Sequence, residues 1–94
     1  MGSPPRKGPG GKRYSHPPAQ PRGIPGLFKV KPKTRRQGAA KRLRYKDADG
    51  NIYEWDSQHG AYEKYNSRGD HLGEYAPDTG EQLKPPDPTR KVEP

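Results

Sequence analysis

The sequence has no cysteine, and only one methionine, one tryptophan and one phenylalanine among its 94 residues. Without thiols there is no disulfide framework, no thiolate nucleophile and no cysteine-built zinc site. The three histidines, His16, His59 and His71, are scattered and make a poor metal-ligand set. They also lack the spacing of a metal-dependent His-Asn-His nuclease. No apolar run approaches the roughly 18 residues that a membrane span needs. None has the basic start, apolar middle and small-residue end of a secretory signal. With 24% hydrophobic residues and a mean hydropathy of −1.49, the chain can build one small core and one domain at most.

Acid is absent from the first half. Residues 1–46 carry 14 Lys/Arg and no Asp or Glu, whereas residues 47–94 carry 5 Lys/Arg and all 11 Asp/Glu. The halves are therefore +14 and −6, for a net charge of +8. Such a split suggests a polyanion partner for the first half, since cations set against phosphates gain from counterion release without reading sequence. A basic arm that stays in solution is the competing reading, and Pro and Gly favour it for residues 1–13, expected to be a flexible basic tail.

Proline and glycine are what the chain has in quantity, 13 and 12 respectively, and their placement divides it. Residues 14–40 are Pro-rich but hold Ile24, Leu27, Phe28 and Val30, an apolar cluster that Pro21, Pro25 and Pro32 keep out of a long helix. This segment reads as extended or short-helical chain docking those four side chains onto a sheet. From residue 41 to 84 short aromatic runs alternate with turns: Asp47-Ala48-Asp49-Gly50, Asn66-Ser67-Arg68-Gly69-Asp70 and Ala76-Pro77-Asp78-Thr79-Gly80. The expected fold is mainly β, a small twisted antiparallel meander of about five strands carrying the wrapping segment. Pro85, Pro86 and Pro88 then end regular pairing, leaving 85–94 as a tail with Arg90.

The chemistry concentrates around Ser57-Gln58. Read as a two-residue hairpin turn, this pair sets Asp56 opposite His59, Tyr53 opposite Tyr62 and Ile52 opposite Glu63. Alternation then places Ile52, Glu54, Asp56, His59, Ala61, Glu63 and Tyr65 on one face, and Tyr53, Trp55, Tyr62 and Lys64 on the other. The second face is core material; the first is not. A carboxylate opposite an imidazole orients the ring, and a further carboxylate can take a proton while the imidazole gives one, the pairing general acid–base catalysis uses. A solvated polar face fits the same pattern. Asp56, His59 and Glu63 also fit one helix face at i, i+3, i+7, although Gly60 and the alternating flanks favour strands. Four residues of strand span about 13 Å, too far for one phosphate to bridge, so twist, a bulge at Gly60 or inward-leaning side chains must close the gap. Tyr53 and Trp55 read as core, and Tyr65 as a group that stacks on a base or bonds a phosphate. Arg90 is either an exposed tail charge or a phosphate clamp. His71 reads as surface or structural, and His16 as incidental.

The run Ile52-Tyr53-Glu54-Trp55-Asp56-Ser57-Gln58-His59-Gly60 closely resembles the catalytic segment of the ribosomal-RNA-cleaving colicins and cloacin. The resemblance continues through Glu63 and Tyr65, His71-Leu72-Gly73, Thr79-Gly80, Gln82-Leu83-Lys84 and Pro86-Asp87-Pro88-Thr89-Arg90. More loosely, it reaches back through Lys41-Arg42, Lys31-Pro32-Lys33 and Gly23-Ile24-Pro25. The Asn66–Asp70 turn is about one residue shorter than in that family, and Gly38-Ala39-Ala40 departs from its glycine-rich linker. The resemblance implies a metal-independent endoribonuclease that cuts small-subunit ribosomal RNA in the decoding centre and needs no cofactor. It implies a catalytic set of Asp56, His59, Glu63 and Arg90 with Tyr65 as an associated tyrosine, and Tyr65, Glu54 and Lys84 are expected to contact substrate. It also implies a secreted toxin of which this chain is one domain, monomeric when free and acting in the target-cell cytoplasm. Its partners would be the ribosome and a small acidic immunity protein. A non-enzymatic basic module that binds RNA or ribosomes is the alternative.

Overall fold

Alternating aromatic and polar residues between glycine-closed turns favour pleated chain, because bulky side chains pack well on a half-buried pleat. A computed structural model describes residues 16–18, 21–35 and 40–94. The tail expected over 1–13 and the Gly38-Ala39 departure lie outside the described residues. Six strands form: β1 Phe28–Val30, β2 Arg44–Lys46, β3 Ile52–Asp56, β4 Ala61–Tyr65, β5 His71–Tyr75 and β6 Gln82–Lys84. Each is antiparallel to the next, so sheet order equals chain order and the fold is an open meander. Among the described residues there is no helix, which settles Asp56, His59 and Glu63 as strand and loop positions.

Two side chains close the hairpin turns. Asp47 Oδ1 accepts the backbone N–H groups of Asp49 and Asn51 at 2.9 and 3.0 Å between β2 and β3. Asn66 Oδ1 does the same for Arg68 and Asp70 at 2.9 and 3.0 Å between β4 and β5. These short side chains take over backbone donors that a tight turn leaves unpaired.

The wrapping segment behaves differently from expectation. Ile24 is buried and Leu27 packs against the core, but Phe28-Lys29-Val30 joins the sheet as edge strand β1, pairing Phe28 with Lys46 and Val30 with Arg44. Joining the ladder satisfies backbone groups that a docked coil would leave open. It also turns Phe28 outward, 51% exposed. Gly23 N–H bonds the Pro77 carbonyl at 2.9 Å, tying the segment to the turn before β6.

The core lies on one face of the sheet, where Ile24, Tyr53, Trp55 and Tyr62 are buried and Leu27, Leu43, Tyr45 and Tyr75 flank them. Tyr62 is its hub. Its ring meets Trp55 edge-on at 4.9 Å, Tyr45 at 5.8 Å and Tyr53 at 6.2 Å. Each such pair contributes about 0.5–1.5 kcal/mol beyond burial. Desolvation, reinforced by nearby Tyr45, pushes the Tyr62 phenol up to about 12.

The opposite face is buried as well, and there polar groups lie beside Ile52, Ala61 and Tyr65. Arg44 Nη2 and Glu54 Oε2 form a 2.7 Å ion pair out of solvent. Thr34 Oγ1 donates to the same carboxylate at 2.5 Å, and Arg44 Nη1 donates to the Glu93 carbonyl at 2.7 Å. The residues that cover this face are thus the 31–35 stretch and the C-terminal tail. The tail is pinned by Val92 N–H to the Gly69 carbonyl at 2.9 Å. Gly69 has φ +90°, and a Cβ there would lie 2.0 Å from Val92 O, so the approach of the tail requires glycine at this turn.

Candidate active site

The β3–β4 register corrects the two-residue turn expected at Ser57-Gln58. Asp56 faces Ala61, Trp55 faces Tyr62, Glu54 faces Glu63 and Ile52 faces Tyr65. The loop is Ser57-Gln58-His59-Gly60. Its geometry comes from Asp56, whose Oδ1 accepts N–H groups from Gln58 at 3.0 Å and His59 at 3.2 Å, while its carbonyl accepts Gly60 N–H at 2.8 Å. Gly60, at φ +64°, then reverses the chain. The slip moves each partner by two residues, and an even slip leaves side chains on their expected faces. His59 is no longer a strand residue. It sits at the loop, 49% exposed, with its ring folded back over the polar face.

This fold-back closes the distance that fully extended pairing would leave open. Asp56, His59, Glu63 and Glu74 each bring one side-chain N or O atom within 4.8 Å of the others. His59 Nδ1 lies 3.0 Å from Asp56 Oδ2 and 3.2 Å from Glu74 Oε1, and the second contact has hydrogen-bond geometry. Lys84 Nζ stands 3.8 Å from the same Glu74 oxygen. On the other side, Glu63 Oε1 receives His71 Nε2 at 2.8 Å and lies 3.3 Å from Arg90 Nη1. Arg90 Nη2 donates to the Tyr65 hydroxyl at 3.0 Å. Burial raises the Tyr65 phenol above its ordinary value despite the opposing pull of Arg90, so the hydroxyl keeps its proton. Desolvation acts to lower the Arg90 guanidinium, but Tyr65 and Glu63 outweigh it and the net shift is upward. The three carboxylates and the imidazole are ligand types that suit a cation, although His59 Nδ1 is already engaged by Glu74 and Glu63 Oε1 by His71.

The tail completes the site. Asp87 Oδ1 accepts Thr89 N–H at 3.0 Å and Thr89 Oγ1–H at 2.6 Å, and Arg90 N–H bonds the Asp87 carbonyl at 3.0 Å. This turn aims Arg90 at Tyr65 and Glu63. Its Asp87 carboxyl is held below the ordinary range, first by the Thr89 hydroxyl and then by the Thr89 N–H. Beside the cluster opens a cleft of about 580 Å3 whose wall includes Asp56, Tyr65 and Arg90 together with Arg35, Arg42 and Lys91.

Asp56, His59, Glu63, Arg90 and Tyr65, all expected from the sequence, therefore converge. Lys84 reaches the rim through Glu74 and is 58% exposed. Glu54, expected to contact substrate, is instead fully buried against Arg44 and Thr34, where its charge is needed to neutralise Arg44. His16 is exposed. Two residues outside the expected set join the cluster: Glu74, which sequence reasoning passed over, and His71, read from sequence as surface or structural and here buried. A bulge explains both. Tyr65 pairs with His71 but Lys64 pairs with Gly73, so Leu72 is the extra residue. Three positions apart, His71 and Glu74 would point to opposite faces of a regular strand; the bulge turns both onto the polar face. Gly73 inside an otherwise strand-like run is the one signal of it.

Residues 15–93 match the family model described as Cytotoxic. The chain belongs to that family. It is 50% identical to colicin-E6 of Escherichia coli over 97 residues, and 48% identical to cloacin and to colicin E3 of the same organism over the same length. Each alignment covers 94% of this chain and 17% of the relative, so this cytotoxic domain spans about a sixth of the length of the proteins it matches. The likeness read from Ile52–Gly60 onward is therefore upheld as a family relationship of colicin E3 type. No helix among the described residues of the cytotoxic domain is long and apolar enough to cross a membrane.

Proposed function

We propose that this cytotoxic domain is an endoribonuclease that cleaves small-subunit ribosomal RNA in the decoding centre and so halts translation. The observation that carries the reading is the convergence of an imidazole, carboxylates and a guanidinium at the edge of a basic cleft. RNA brings its own nucleophile, the 2′-hydroxyl, so the protein has only to move protons and stabilise charge. Glu63 removes the 2′-hydroxyl proton and the oxygen attacks phosphorus in line. His59, held at Nδ1 by Asp56 and Glu74, gives its Nε2 proton to the departing 5′-oxygen. Arg90, with the protonated Tyr65 hydroxyl beside it, meets the charge that grows on the phosphoryl oxygens. The products are a 2′,3′-cyclic phosphate and a 5′-hydroxyl, and the side chains suffice without a cofactor. Arg35, Arg42, Lys91 and the basic first half supply the grip on the RNA.

The family relationship extends the proposal to a bacteriocin: a domain of a longer secreted toxin, active in the cytoplasm of the target cell and neutralised in the producer by a small acidic immunity protein. The test is to incubate intact ribosomes with the domain in excess chelator and map new RNA ends. One cut with a cyclic phosphate is expected, lost by about 10²–10⁴-fold in folded His59→Ala and Glu63→Ala variants. Full activity in either variant removes that residue from the mechanism. Ribosome binding without new ends would instead identify a non-enzymatic RNA-binding module.

A further inference from the structure

His71 is buried, and both of its ring nitrogens are committed. Nδ1 accepts the backbone N–H of Asp87 at 2.9 Å. An amide can only donate, so this nitrogen is the bare one and the ring proton sits on Nε2. That proton points at Glu63 Oε1, 2.8 Å away. The ring is wedged edge-on against Tyr65 with centroids 5.2 Å apart, which fixes its plane. The contacts of Glu63 with His71 and with Arg90 both fall on Oε1.

We infer that His71 is a positioning residue for Glu63: its Nε2–H ties down one carboxylate oxygen so that the other is presented to the substrate. The inference rests on the reading of Glu63 as the base that takes the 2′-hydroxyl proton. The geometry divides the labour between two histidines. His59 is half exposed and held from one side only, as a group that gives up a proton must be. His71 is enclosed and bonded at both nitrogens, so it has no free position from which to meet RNA. The fixed tautomer is set by the tail, because Asp87 and Arg90 belong to one turn and arrive together. One segment thus supplies Glu63 with a guanidinium directly and with an oriented N–H through His71. Partners that orient a reacting group in this way are worth about 10–100-fold when removed.

A contact that merely anchors the tail would run through Nδ1, and two substitutions separate the roles. His71→Gln keeps a donor near the Nε2 position and loses the acceptor for Asp87. His71→Asn keeps an acceptor near the Nδ1 position and loses the donor to Glu63. Cleavage of ribosomes should fall about 10–100-fold in kcat, with KM unchanged, for His71→Asn, and His71→Gln should recover most of the loss. His71→Gln cleaving no faster than His71→Asn overturns the inference. A second readout needs no variant: the side-chain nitrogen resonances of His71 in the wild-type domain should report the Nε2–H tautomer, and an Nδ1–H tautomer overturns the inference equally. Glu63→Gln separates the two levels of the argument. If it cleaves like wild type, the base assignment is wrong. If it is inactive while the two His71 variants are equal, only the role of His71 falls.

Discussion

The two faces of this sheet both bury side chains and are chemically opposite. One is a cluster of rings around Tyr62; the other holds two sets of paired charges, Arg44 with Glu54 and Glu63 with His71 and Arg90. The aromatic face gains stability from buried area and ring geometry. The polar face has buried Ile52, Ala61 and Tyr65 but depends on its paired charges. Burying charges is expensive, and the network holds only while each member keeps its partner. The contrast teaches that this small domain sets a ring-packed core on one side against a buried arrangement of paired charges on the other.

The comparison can be broken first at its hub. Tyr62→Ala removes a buried ring that touches three others and should cost about 3–5 kcal/mol in chemical denaturation, enough to unfold much of a domain this small. On the polar face, Arg44→Met should cost a similar amount, about 3–5 kcal/mol, because it strands the Glu54 carboxylate. Adding Glu54→Leu should recover most of that loss, since the stranded charge rather than the lost pair carries the penalty; a double variant no more stable than the single would show that the pair itself matters. Glu74→Gln keeps the shape and removes a charge beside His59 Nδ1, so kcat should drop about tenfold while the thermal midpoint holds. Asp47 tests acid sensitivity away from the site. Burial pushes its carboxyl up, but the bonds from Asn51, Tyr53 and Asp49 outweigh burial and hold it low in the fold. Its contribution is therefore full above the ordinary carboxylate range and fades as pH falls through the lowered value. Asp47→Asn should flatten that part of the acid-unfolding curve by under about 1 kcal/mol. The smallest effect belongs to Tyr62→Phe, which keeps every ring contact and deletes a buried hydroxyl without a hydrogen-bond partner among the described residues. The midpoint should stay level or rise.

The face assignments were legible in the sequence because period-two alternation survives an even slip. Tyr53, Trp55 and Tyr62 therefore fell on the correct side although the register was two residues off. The register itself was hidden, since it depends on the Asp56 carboxylate closing a four-residue loop, a choice made by hydrogen bonds and not by hydrophobic pattern. Strand β1 escaped because three residues carry no periodicity, and its pairing with β2 depends on chain 14 to 18 positions away. The catalytic set expected from the family motif converges in space, yet its companions did not show. His71 and Glu74 are an odd number of positions apart, and only a bulge brings them to one face. Glu54 failed in the other direction: on an exposed strand face it reads as a ligand contact, and nothing local reveals that Arg44 lies directly opposite on the next strand.

Because each strand pairs with its sequence neighbour, the sheet can zip up by short-range steps, the kind that fold quickly. The tail is different. Its bonds return to Gly69, His71 and Arg44 across long loops, to groups that the ladder itself sets in place. Arg90 and the backbone donor that fixes the His71 ring therefore both depend on the docked end, and a chain with a finished ladder and an undocked end would hold the sheet without the Arg90–Glu63 and Asp87–His71 contacts.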